Sequence, residues 1–140
     1  MIRKAEARWI GGFKDGKGSL SLESGTFKGA YSFSSRFENG EGTNPEELIG
    51  AANSGCFSMA FAMLLEQHGF KPQEINTVAE VSLEKEKEGY LIEEINLVVK
   101  AKIPEIDTGK FLELAREAKS NCPVSLALAG TQITLDATLV

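Results

Sequence analysis

The stretch PEELIGAANSGCFSMAFAMLLEQHGF, from Pro45 to Phe70, constrains the fold of this chain more than any other. Asn44 is a good N-cap, Pro45 suits the first helical position, and Glu47 stands three residues after Asn44 as in a capping box. Small and apolar residues then extend to a stop at Gly69. The resulting helix is apolar on nearly every side, so water cannot cover it and one packing surface is not enough. A twofold dimer burying two copies would supply the second cover, and homodimerisation is therefore expected.

The surrounding segments read as strands and one further helix. Apolar residues alternate with polar ones among glycines from Arg3 to Gly40, as in a three-stranded antiparallel meander that ends with Arg36 on a strand end. EINTVAEVSLEKE and GYLIEEINLVVKAKI read as a long hairpin joined near Lys87-Glu88-Gly89, with Ile92, Ile95, Leu97 and Val99 as the apolar set of its second strand. DTGKFLELAREAKSN places Phe111, Leu112, Leu114, Ala115 and Ala118 at helical spacing, with Asp107 or Thr108 as the cap. A short helical piece at CPVSLALAG and a strand at TQITLDATLV follow. The order of elements predicts one α+β domain over residues 1–140, with antiparallel sheets, a long buried central helix and a second helix.

Composition excludes several classes. A formal charge of -5 and a pI near 5.0, with acids and bases interspersed, leave no basic stripe for a nucleic acid. No signal-peptide stretch opens the chain, and no window is expected to reach the roughly eighteen apolar residues of a membrane helix, so a cytoplasmic location is expected. Cys56 and Cys122 would normally stay reduced there, which disfavours a structural disulfide and leaves a transient catalytic one open. One histidine and two separated cysteines lack the close ligand pairs of a zinc site, so no metal and no cofactor is expected. His68, near the helix end, is explained by the helix dipole and receives no catalytic role.

Four residues carry chemistry. Cys56 shares a helix face with Ala52, Met59, Ala60 and Met63, a setting in which free cysteine usually serves as a small hydrophobe. Cys122 directly precedes Pro123 at the start of a short helix, where unpaired amides favour a thiolate. Arg36 and Glu46 flank the start of the long helix, and an arginine held by a carboxylate presents a planar cation able to stabilise a thiolate and bind substrate oxygens. If the helix is continuous from Pro45, Glu46 and Cys56 are ten residues, or about 15 Å, apart along its axis. Either the first turn bends away, or the arginine and glutamate reach the cysteine of a second subunit, and the second arrangement is favoured.

RFENGEGTNPEELIGAANSGCFSMAF, followed at a distance by NCPVSLAL, resembles the family of osmotically induced protein C (OsmC) and organic hydroperoxide resistance protein (Ohr), on the OsmC branch. The resemblance spans nearly the whole chain. It implies an intertwined homodimer with sites at the subunit interface. It also implies that Cys56 is the peroxidatic cysteine, which becomes a sulfenic acid, and Cys122 the resolving cysteine, which closes an intramolecular disulfide with it. Arg36 and Glu46 would activate the thiolate and orient an organic hydroperoxide, and a dithiol reductant, in the Ohr branch a lipoyl-bearing protein, would reset the disulfide. Many relatives carry a histidine where this chain has Asn53, which can hydrogen-bond but does not titrate near neutral pH.

Peroxide reduction needs a thiolate, a cation to hold it, a proton route to the leaving oxygen and a second thiol to rescue the sulfenic acid, and two cysteines, one arginine and one glutamate meet those needs without metal or flavin. An apolar cleft, expected to include Phe57, Met63 and Leu48, would favour an alkyl hydroperoxide over hydrogen peroxide by roughly 0.8 kcal/mol per buried methylene. The alternative is a dimeric redox-sensing or apolar-ligand-binding protein whose cysteines do not turn over.

Overall fold

The pairing of strands in the computed structural model, which describes Met1 to Val140, defines two separate sheets. The chain divides accordingly into two compact units, Met1–Leu48 and Ile49–Val140.

In the first unit β1 (Ala5–Ile10), β2 (Lys17–Leu22) and β3 (Lys28–Tyr31) form the expected antiparallel meander. Gly11 and Gly25 leave two of its strands with positive φ, +96° and +74°. The sequence expectation fails at Phe33–Phe37, which is a short helix, α1, so Arg36 lies on a helix and not on a strand end. Two serines cause the switch. The Ser35 N–H donates to Ser32 Oγ at 3.1 Å and the Ser32 N–H donates to Ser35 Oγ at 2.8 Å, a reciprocal cap that strand pairing would forfeit. None of the protein's buried hydrophobic residues belongs to this unit.

Helix α2 (Pro45–Gln67) is unbroken. At its start the Glu47 N–H donates to Asn44 Oδ1 at 2.9 Å, and Asn44 Nδ2 reaches the Glu47 carboxylate at 3.2 Å. At its end Gly69 takes φ +85°, and the chain folds back so that the Phe70 N–H bonds the Leu65 carbonyl at 2.9 Å. This is the wrap that a glycine after the last turn permits.

The second unit continues with β4 (Glu74–Glu86) and β5 (Gly89–Lys102), paired as the expected long hairpin. The register shifts between Ser82 and Leu83: Ser82 faces Glu94 and Leu83 faces Ile92, so Glu93 is the extra residue of a bulge. That bulge lets Ile92 and Ile95, at odd spacing, both turn toward the core. Helices α3 (Thr108–Asn121) and α4 (Pro123–Ala127) precede β6 (Gln132–Leu139), and Asp107 caps α3 through Lys110 N–H to Oδ1 at 2.8 Å. Here a second expectation is corrected. β6 pairs with β5 in parallel, so the sheet β4-β5-β6 is mixed rather than antiparallel. Parallel pairing needs a long crossover, which α3 and α4 provide; alternation of side chains in a sequence does not report strand direction.

The core gathers on one side of α2. Phe57, Phe61 and Leu65 from α2 cluster with Ile95, Leu97 and Val99 of β5 and with Phe111 and Leu114 of α3. The ring of Phe61 packs at 5.7 Å from those of both Phe57 and Phe111. On the other side Met59 is 78% and Met63 58% exposed. Within one chain the helix is therefore buried over one side only, and the other side is left for the second cover that the sequence calls for. Its apolar content also corrects the sequence reading: an 18-residue window has mean hydropathy 1.6, so α2 is long and apolar enough to cross a membrane by length and composition. The packing of Phe57, Phe61, Leu64 and Leu65 into the core is that of a globular core helix with one uncovered side.

Phe61→Ala is expected to destabilise the protein by about 3–5 kcal/mol, because it removes a ring that joins α2 to α3 and leaves a cavity that cannot collapse. Urea unfolding measures this, and a loss well below that range would show that the three-ring stack is not central to the core.

Candidate functional site

The four residues singled out by the sequence fall into two pairs, one in each unit. In the first unit α1 presents Arg36 and the first turn of α2 presents Glu46. Arg36 Nη2 donates to Glu46 Oε1 at 2.7 Å, and Nε donates to Oε1 at 3.1 Å and Oε2 at 3.3 Å. Both carboxylate oxygens are thus engaged by one planar cation. Glu46 is buried, while the Arg36 side chain keeps 35% of its surface exposed and stacks over the Phe37 ring at 5.3 Å. The guanidinium is fixed at one edge and retains open donors at the other.

Beside Arg36 the first unit holds a pocket of about 150 Å³, lined by Trp9, Phe13, Tyr31, Phe33 and Phe37. The rings of Phe13 and Phe33 meet edge-on at 5.1 Å. Sequence reading missed this aromatic lining. The signal was the four-residue spacing of Phe33 and Phe37, which becomes a shared face only once the segment is helical. The expected lining fares differently: Phe57 is fully buried in the core, so it lines no open cleft.

In the second unit α2 carries Cys56, and Cys122 is the residue that ends α3 and begins α4. Both thiols are free, Cys56 half-buried and Cys122 fully buried. The two interact directly, and their environments differ. Burial pushes the Cys56 thiol up, the neighbouring Cys122 adds to the rise, and the Val124 N–H only partly offsets it. Burial also acts to raise Cys122, but the Cys56 thiol, the N–H and hydroxyl of Ser125 and the Val124 N–H outweigh it, and Cys122 sits below the ordinary thiol range. The approaches of the α4 amides are longer than a formed cap, since the Cys122 side chain makes no capping hydrogen bond. Within this unit the better-stabilised thiolate is the buried Cys122, while the more accessible sulfur is Cys56.

One polar contact links the two cysteine-bearing turns. Asn53 is fully buried, and its Nδ2 donates to Ser125 Oγ at 3.0 Å. The Asn53 Oδ1 is buried with no partner. An acceptor stranded in this way costs about 1–3 kcal/mol. No group of three or more histidine, cysteine, aspartate or glutamate side chains is arranged to hold a metal ion.

The family model described as OsmC-like protein matches residues 38–137. The chain belongs to the OsmC-like family. It is 47% identical over 135 residues to Peroxiredoxin OsmC of Escherichia coli (strain K12), covering 96% of this chain and 94% of that one. Among solved structures, the organic hydroperoxide resistance protein OhrB of Bacillus subtilis aligns with TM-score 0.72 at 22% identity, covering 96% of this chain and 98% of that one. An OsmC-like protein of unknown function from Vibrio cholerae O1 aligns with TM-score 0.79 at 16% identity, covering 99% of each chain. The OsmC-like α+β fold expected from the sequence is therefore the fold observed.

Removing Arg36 should leave the buried Glu46 carboxylate without its cation. Arg36→Ala is expected to cost about 1–3 kcal/mol in urea unfolding, and the double variant with Glu46→Gln to recover most of that loss. Additive losses in the double variant would show that the two side chains are not coupled.

Proposed function

We propose that this chain is a thiol-dependent peroxidase that reduces organic hydroperoxides, and hydrogen peroxide more weakly. The observation that carries the reading is the interacting pair of free thiols, one reachable and one buried. A peroxide-related redox function agrees with the name of the Escherichia coli relative. The Cys56 thiolate attacks the terminal peroxide oxygen, the O–O bond breaks, and the alkoxide leaves as an alcohol after taking a proton. Cys56 is then a sulfenic acid, and Cys122 displaces its hydroxyl as water to form the Cys56–Cys122 disulfide. A dithiol, such as a lipoyl-bearing protein, reduces that disulfide and restores both thiols.

Arg36 and Glu46 supply the cation that this scheme requires at Cys56. With α2 unbroken, ten residues of helix separate Glu46 from Cys56, about 15 Å of rise. On this reading the pair serves the cysteine of a second chain in an intertwined homodimer. Exposed Met59 and Met63 on α2, and a three-stranded sheet whose unit holds no buried hydrophobic residue, support such a partner copy. The Arg36 cation would favour a thiolate at Cys56, where burial disfavours one. The aromatic pocket beside Arg36 has the volume of a cavity that accommodates a benzene-sized group, which fits the organic part of the substrate. The 140 residues would act as a single domain in the cytoplasm, with no membrane and no nucleic acid as partner.

The raised Cys56 thiol favours one other reading, a redox sensor that is oxidised once and does not cycle. Steady-state reduction of cumene hydroperoxide with a dithiol reductant separates the two. The peroxidase reading expects many turnovers by the parent protein, none by Cys56→Ser, at most one turnover or slow thiol-dependent cycling by Cys122→Ser, and a light-scattering mass of two chains. Full activity in Cys56→Ser, or a mass of one chain, would overturn it.

A further inference from the structure

The buried contact between Asn53 and Ser125 has no part in the reaction as written above. Asn53 lies three residues before Cys56 on α2, and Ser125 three residues after Cys122 on α4, so each is one helical turn from a cysteine. Their hydrogen bond, at 3.0 Å and across 72 positions of sequence, ties the two cysteine-bearing turns together. Asn53 is 0% exposed and Ser125 8%, so neither group is placed for solvent.

The bond also has a direction. Asn53 donates to Ser125 Oγ, which leaves the serine's own hydrogen for another acceptor, and the Cys122 sulfur stands next to it. The other half of the Asn53 amide, Oδ1, accepts from nothing. Side chains on a helix lean toward its N-terminus, so the Cys56 sulfur leans over the turn that carries Asn53. A reduced Cys56 offers only a weak S–H donor there, whereas a sulfenic acid offers an O–H.

We propose that Asn53 and Ser125 are positioning residues for disulfide formation: Ser125 holds the Cys122 sulfur for attack, and the unpartnered Oδ1 of Asn53 receives the hydroxyl of oxidised Cys56. The proposal rests on the peroxidase reading, which supplies the sulfenic acid. In the step itself Cys122–SH and Cys56–SOH give the disulfide and one water. The S–O bond breaks as the S–S bond forms, the Cys122 sulfur is oxidised, the Cys56 sulfur is reduced from the sulfenic level, and the thiol proton leaves in the water. The amide gains the donor it lacks only while the sulfenic acid exists.

The test is a single-turnover experiment on the full-length reduced protein with one equivalent of cumene hydroperoxide, quenched at intervals with dimedone, which traps sulfenic acid. Intact mass reports the partition between dimedone adduct and disulfide. In Ser125→Ala and in the near-isosteric Asn53→Leu, the sulfenic acid should persist at least about ten-fold longer than in the parent. Ser125→Thr, which keeps the hydroxyl, should restore the parent partition, and the pH at which Cys122 deprotonates, read from its labelled Cβ by NMR, should rise in Ser125→Ala. If Ser125→Ala fails to fold by circular dichroism, Asn53→Leu and Ser125→Thr decide. Folded variants that close the disulfide as fast as the parent would overturn the proposal with the peroxidase reading intact. A parent protein that gives neither adduct nor disulfide would overturn both.

Discussion

Helix α2 has to satisfy two demands with one set of side chains. Its residues are apolar or small on nearly every side, yet Phe57, Phe61, Leu64 and Leu65 occupy the core of the second unit and leave Met59 and Met63 outside it. The core side fixes the position of the helix against β5 and α3. The uncovered side leaves apolar surface in water, which in the proposed dimer a second chain would bury at about 25 cal/mol per Å². Cys56 lies on the margin between the two, half-buried, with Asn53 and Phe57 turned inward and Met59 turned outward. A sulfur at that margin is sheltered on one side and approachable on the other.

The electrostatics of the thiol pair follow from the same placement. Burial disfavours any thiolate, and it acts on both sulfurs. What separates them is the supply of donors. Cys122 begins α4, where the amides of Val124 and Ser125 and the Ser125 hydroxyl approach it, whereas Cys56 lies mid-helix, where its own helix has no free N–H to offer. A nucleophile in the middle of a helix therefore needs its cation from elsewhere. In the function proposed above that cation is the Arg36 guanidinium of a second chain, which is anchored on both Glu46 carboxylate oxygens and lies beside aromatic rings.

Much of this was legible in the sequence, because it rests on local signals. The Asn44 cap, the Gly69 stop and the β4–β5 hairpin are each written within a few residues, and they stand as expected. The pairing of Arg36 with Glu46 was also visible from residue types near one helix start. Non-local features were not. The parallel direction of β6 depends on how α3 and α4 cross the sheet, and the burial of Phe57 depends on which side of an evenly apolar helix meets β5. The helix at Phe33–Phe37 was hidden because a pair of serines, not an apolar period, decides it. The Asn53–Ser125 contact joins residues too far apart in sequence for any spacing to reveal.

The central claim is that Cys56 and Cys122 work as one redox pair. Non-reducing mass spectrometry of the reduced protein after one equivalent of organic hydroperoxide tests it most directly. The account predicts a loss of about two mass units and a proteolytic fragment in which Cys56 and Cys122 are joined. An unchanged mass, or a disulfide that links two chains in place of these two residues of one chain, would contradict it.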